Sequence, residues 1–193
     1  VYNNWVAEFC SAHPERLKGV AMLNVDDVDE GVRELKRAHK TGLVGALIPS
    51  NPPKGRPYSN WEYEPLWATA EDLGMPLSLH LATIRRSYAE GISTTIDPAA
   101  FKAYEFMGNI DFEIRTAISS IVMGGVCDRH PRLLVGSVEF NAAWAATHAW
   151  QMDQAYKGQF RFIGKEVHFS NDMLPSDFMH RNVFFGWQED ALA

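Results

Sequence analysis

Cysteine is almost missing: Cys10 and Cys127 are the only two, and neither belongs to a C-x-x-C pair. The expectation is a reduced protein of the cytoplasm with no disulfide framework. Positive charge is also scarce. Lys and Arg number 18 against 24 Asp and Glu, a formal net charge of −6, and no basic cluster stands ready to neutralise phosphates. A nucleic-acid partner is therefore not expected. No apolar run approaches the roughly 20 residues that span a bilayer, and no signal-peptide pattern opens the chain, so no membrane partner is expected either. The short motifs of familiar chemistries are absent as well: there is no G-x-G-x-x-G, phosphate loop, G-x-S-x-G or H-E-x-x-H. An open-sheet nucleotide binder is disfavoured on that ground. The chain begins "VYNNW" without an initiator Met and stops at "QEDALA" directly after a strand-like segment. Both ends read as cut from something longer.

What is present suits a single domain over residues 1–193, with 46% hydrophobic and 22% charged residues. Short apolar runs occur at 17–25, 43–50, 75–82, 132–140 and 182–188. They are too short for helices and lack a clean polar face, which predicts strands covered on both sides. Helical patterns lie between them. In "DDVDEGVRELKRAHKTG", Val28, Val32, Leu35 and Ala38 recur at helical spacing, with acids at the start, bases at the end and Gly42 beyond. Tyr63, Leu66, Trp67, Ala70 and Leu73 form a second stripe, with Ser59 or Asn60 as the expected cap and Gly74 as the stop. Asp97-Pro98 opens another helix, "DFEIRTAISSIVMGGVCDRHP" supplies one more, and "AAWAATHAWQMDQAYKG" continues the alternation. Strand and helix in turn predict a parallel α/β sheet, either open and doubly wound or a barrel.

In both architectures ligands bind where the C-terminal ends of the strands meet the next loops. The residues at those ends are Asn24 and Asp26; Ser50 and Asn51; His80 and Thr83; Glu139 and Asn141; Gln188, Glu189 and Asp190. Part of that set reads as helix caps. His80 and Glu139 stand apart. His80 closes the apolar run "MPLSLH", and Glu139 follows "LLVGSV", where a carboxylate near a core needs a partner, a metal or a raised pKa. "TIRRSYAEGISTT" has the length of a lid or specificity loop, and its Arg85 and Arg86 either hold an anionic substrate or form a solvated charge pair. Trp144 either lines a pocket or packs as helix core. The remaining histidines carry no motif.

In order, "RLKGVAMLNV", "TGLVGALIPS", "YEPLWATAEDLGMPLSLH", "DRHPRLLVGSVEFNAAW" and "HRNVFFGWQED" resemble the amidohydrolase-related family. These are metal-dependent (β/α)8 TIM-barrel hydrolases and decarboxylases, among them aminocarboxymuconate-semialdehyde decarboxylase. The resemblance implies that the five runs are strands three to seven of such a barrel, an incomplete segment. It implies a divalent metal, commonly zinc, held by a first-strand His-x-His, a fifth-strand His and an eighth-strand Asp. His80 matches the fifth-strand ligand. Glu139 falls where a sixth-strand His is usual, in the pattern S-x-E-x-x-x-x-W, and is the candidate for the catalytic acid–base group or for a partner that fixes that group. Neither a His-x-His strand nor a closing Asp strand is in the chain, so most ligands would lie outside it. Ser50, Thr83, Arg85, Asn141 and Trp144 are the substrate-binding candidates. The implied function is a metal-dependent hydrolase or carboxy-lyase for a small, carboxylated substrate; a homo-oligomer is expected separately, because the outermost strands of such a segment would expose edges that invite association. The rival reading is a non-catalytic α/β-barrel binding protein that has lost the metal.

Overall fold

The computed structural model describes residues 1–83, 98–158 and 168–186, with the backbone alone over 98–110. Five strands form one sheet: β1 (Val20–Met22), β2 (Gly45–Pro49), β3 (Leu77–His80), β4 (Val135–Val138) and β5 (Val183–Phe185). They pair in parallel, in chain order, each inside one of the apolar runs. Parallel neighbours need long crossovers, and helices supply them. These are α2 (Val28–Lys40), α3 (Glu64–Leu73), α4 (Pro98–Met123) with the short α5 (Val126–Arg129), then α6 (Ala143–Tyr156) and α7 (Pro175–Asn182). A further helix, α1 (Tyr2–Ser11), precedes β1. The strand order has no reversal, so among the described strands the crevice of an open nucleotide-binding sheet does not exist.

Local chemistry accounts for the helix ends. Asp27 caps α2 by accepting the Glu30 N–H at 2.9 Å, acids fill its first turn, and Arg37, His39 and Lys40 fill its last. α3 ends at Gly74 in the left-handed conformation, as the sequence predicts. Its start differs. A 3-10 turn over Trp61–Tyr63 comes first, α3 begins at Glu64, and neither Ser59 nor Asn60 caps it. Pro65 has no N–H to give, so it settles in the first α turn. The two helices expected after residue 97 are one 26-residue helix that begins at Pro98. Gly108 costs a helix only about 1 kcal/mol; the real stop is Gly124-Gly125, with φ of 73° at Gly125.

Side chains alternate between the faces of a strand. Ala46, Ile48, Leu77, Leu79 and Val135 are fully buried with Leu35, Leu66, Trp67, Ile114, Ile118 and Ile121. By register the other face carries Met22, Leu47, Ser78, Gly136 and Phe184, and then Pro49, His80 and Val138. Met22 is 48% and Phe184 36% exposed there, so the expected cover on both faces holds only on the helix side. The inner face of a barrel is covered by strands across it, and a TIM barrel closes with eight. At the outer edge of β1, the Asn3 side chain accepts the Met22 N–H (2.8 Å) and donates to the Met22 carbonyl (3.0 Å). One amide side chain thus does what a neighbouring strand would do.

An ion cluster fastens α3 to the turn before β4. His130 stands between Glu64 (2.7 Å from Nε2) and Glu71 (3.2 Å from Nδ1). Arg129 grips both Glu64 oxygens at 3.0 Å, and Glu71 accepts the Arg132 N–H at 2.8 Å. Burial alone would raise the pKa of both carboxyls. The hydrogen bonds from Arg129 and His130 to Glu64, and from the Arg132 backbone and His130 to Glu71, outweigh it and leave both below the ordinary value.

Candidate functional site

His80 is the last residue of β3, at the C-terminal mouth of the sheet, with its side chain 27% exposed. Its Nδ1 accepts the Ala82 N–H at 3.0 Å, from a 3-10 turn over Leu81–Thr83. Its Nε2 lies 3.4 Å from Glu139 Oε2. The two residues end neighbouring strands, whose spacing of about 4.8 Å lets their side chains meet. Glu139 therefore has the partner that the sequence demanded, and it is 36% exposed at the mouth, away from the apolar interior. The chain turns sharply there. Glu139 (φ 68°) and Asn141 (φ 56°) both occupy the left-handed region, at a cost of about 1–2 kcal/mol each for residues other than glycine.

Thr83 ties the mouth together. Its Oγ1 accepts the Ser50 N–H at 3.1 Å and lies 2.6 Å from the His80 carbonyl oxygen and 3.2 Å from that of Ile48. It donates to one carbonyl at a time while joining the ends of β2 and β3. Ser50 is fully buried, and its Oγ has no partner among the described residues. Its backbone N–H joins the mouth through Thr83. Asn141 is exposed beyond Glu139. Trp144 is only 5% exposed and packs edge-on against His148 (5.7 Å) and Phe185 (5.8 Å), the helix-core alternative. Arg85, Arg86, Gln188, Glu189 and Asp190 lie outside the described residues. The structure thus brings together His80, Glu139 and Thr83 of the expected set. Ala82 is the member that the sequence did not reveal, because it acts through a backbone N–H that every residue type but proline has.

Two other imidazoles have structural partners. His130 belongs to the ion cluster. His148 Nε2 lies 2.9 Å from Ser119 Oγ and 3.2 Å from the Arg115 carbonyl, and burial lowers its pKa.

An imidazole and a carboxylate at one mouth are donors that a divalent first-row ion accepts; ligation through His80 Nε2 would need the proton on Nδ1 and the Ala82 N–H bond released. Among the described residues no group of at least three metal-ligating side chains occurs. His80 and Glu139 thus fit one side of a site whose roughly three or four ligands would be completed by residues beyond these.

Five parallel strands in chain order, joined by helices and bearing a polar pair at their C-terminal mouth, define a segment of a (β/α)8 barrel. The amidohydrolase family model matches residues 1–163, and the chain belongs to that family. It is 30% identical over 181 residues to the gamma-resorcylate decarboxylase of Rhizobium radiobacter, a match over 83% of this chain and 52% of that one. A putative amidohydrolase from Staphylococcus aureus superposes with a TM-score of 0.74 at 20% identity, over 95% of this chain and 57% of its own. The dihydroxybenzoic acid decarboxylase of Polaromonas sp. JS666, solved with bound manganese and the inhibitor 2-nitroresorcinol, gives a TM-score of 0.65 at 20% identity, over 95% and 54%. The chain spans about half the length of the curated relatives it matches.

Proposed function

We propose that the whole protein is a metal-dependent carboxy-lyase that removes CO2 from a small hydroxylated aromatic acid. The observation that carries this reading is the His80–Glu139 pair, 3.4 Å apart at the mouth of neighbouring parallel strands. It agrees with the decarboxylase names of the relatives and with the manganese bound in one neighbour. A divalent ion is the cofactor of this reading. Manganese has support from that neighbour, while zinc rests on the family resemblance alone.

When bound, such an ion would polarise an oxygen of the substrate. His80 would hold it through Nε2, and Thr83, by bonding the His80 carbonyl, keeps that strand end in place. Decarboxylation breaks the carbon–carbon bond to the carboxylate, leaves the electron pair on the ring carbon and needs a proton there. Glu139 is the acid–base group placed to deliver it. Asn141, exposed just beyond, and Arg85, two residues after Thr83 in the sequence, are the proposed contacts to the substrate's polar groups. A single domain and a homo-oligomeric assembly complete the proposal.

Elemental analysis and CO2 release, measured with 2,6-dihydroxybenzoate on the full protein, test it. His80→Ala is expected to lower metal content and turnover together. Glu139→Gln is expected to keep most of the metal and lower turnover by about 100-fold or more. A His80→Ala protein with full metal and full turnover removes the reading. A wild-type protein that holds no divalent ion and releases no CO2 would favour the binding-protein alternative.

A further inference from the structure

We infer that Phe140 is a positioning residue for Glu139, a buried anchor that brings the carboxylate onto the face of the sheet where His80 stands. Register pairs His80 with Val138, so these two share a face. Side chains alternate along an extended strand, and a straight continuation of β4 would send residue 139 to the opposite face, towards the helices. Yet the Glu139 carboxylate meets His80 Nε2 at 3.4 Å. What reverses it is the backbone: Glu139 has φ 68° and Asn141 φ 56°, both left-handed, and neither is glycine. Nothing intrinsic to Glu favours that conformation. The compensation lies between them. Phe140 is 1% exposed and belongs to the hydrophobic core, so its burial and the left-handed turn come as one unit. Without the ring in the core, residue 139 relaxes towards extended backbone and the carboxylate leaves His80.

The kinetic arm of the test rests on the carboxy-lyase reading; a spectroscopic arm does not. On the full protein, Phe140→Ala is expected to lower kcat on the order of 100-fold, the scale of a misplaced catalytic group, with little change in KM. Phe140→Leu, which keeps an anchor of similar reach, should recover most of that loss. In a Glu139→Gln background Phe140→Ala should cost nothing further, because the group it positions is already gone. A purely structural role predicts the same loss in both backgrounds, and that result overturns the inference. Independently of activity, backbone chemical shifts should report residue 139 as left-handed in wild type and Phe140→Leu, and as extended in Phe140→Ala. A left-handed residue 139 that survives in Phe140→Ala also overturns it. Should Phe140→Ala not fold, Phe140→Val, a milder truncation, carries both arms with the same signs. A full protein that decarboxylates nothing while residue 139 still follows Phe140 would sink the proposed function and leave the positioning role standing.

Discussion

Ala82 shapes the candidate site through a single hydrogen atom. By donating to His80 Nδ1 at 3.0 Å, it fixes the proton of a neutral ring on Nε2, on the side of Glu139. A metal ion on Nε2 requires the other tautomer, with the proton on Nδ1, where the Ala82 N–H then becomes a competing donor. Metal binding through Nε2 and the Ala82 hydrogen bond therefore exclude each other. Amide exchange at Ala82 in the full protein should speed up when a divalent ion is added. Equal protection with and without the ion would rule out ligation through Nε2. A second prediction at this scale concerns thiols. Burial pushes the Cys127 thiol up to about 12, although Arg181 and Arg129 act the other way, whereas Cys10 is only partly buried. Thiolate is the reactive form, so a native titration at pH 8 should find one reactive cysteine and a denatured one two. Two fast thiols in the native state would contradict the packing around Cys127.

The connection between α3 and the turn before β4 makes stability depend on pH with a definite sign. Glu64 and Glu71 are held below their ordinary value of 4.5 in the folded chain. A carboxyl depressed by folding contributes stability that is fully present above the unfolded pKa and is lost as pH falls through the folded one. Urea midpoints should therefore drop below about pH 4.5. Glu71→Gln should remove about 2 kcal/mol at neutral pH, the scale of hydrogen bonds to a charged group, and flatten that acid slope. An unchanged slope would show that the cluster contributes nothing. The end of α4 offers a steric test. A Cβ at Gly124 would lie 2.3 Å from Ser59 Cβ and 2.4 Å from the Ser120 carbonyl oxygen, and neither can move cheaply. Gly124→Ala is expected to destabilise by about 1–3 kcal/mol in equilibrium unfolding; a neutral result would mean that Ser59 yields freely.

For the molecule as a whole, the arrangement of apolar surface matters most. Met22 and Phe184 are exposed on the inner sheet face, and on α1 Trp5 (59% exposed) stacks with Phe9 (56%) at 5.8 Å. Surfaces of this kind favour association. The 193-residue chain is therefore expected to self-associate in concentration-dependent light scattering, and Trp5→Lys with Phe9→Lys should reduce it. A monodisperse monomer that unfolds cooperatively would contradict this. Pairing through the β1 edge is a poorer route, since the Asn3 amide already satisfies both Met22 backbone groups and is itself held by Glu34 at 2.6 Å. Among the described residues no helix is long and apolar enough to cross a membrane.

Hydrophobic runs and their spacing determined the five strands, their parallel pairing and the alternation with helices, because each signal lies within about ten neighbouring residues. The α2 cap and the Gly74 stop were legible for the same reason, and so were His80 and Glu139 as polar residues closing apolar runs. Tertiary structure alone decided the rest. The burial of Ser50 and Trp144 and the His130 cluster depend on groups distant in sequence. The orientation of Glu139 is the sharpest case. Its place in the chain is plain from the sequence, yet strand alternation points it away from His80. A left-handed backbone at Glu139, next to a Phe140 buried in the core, is what brings the two together.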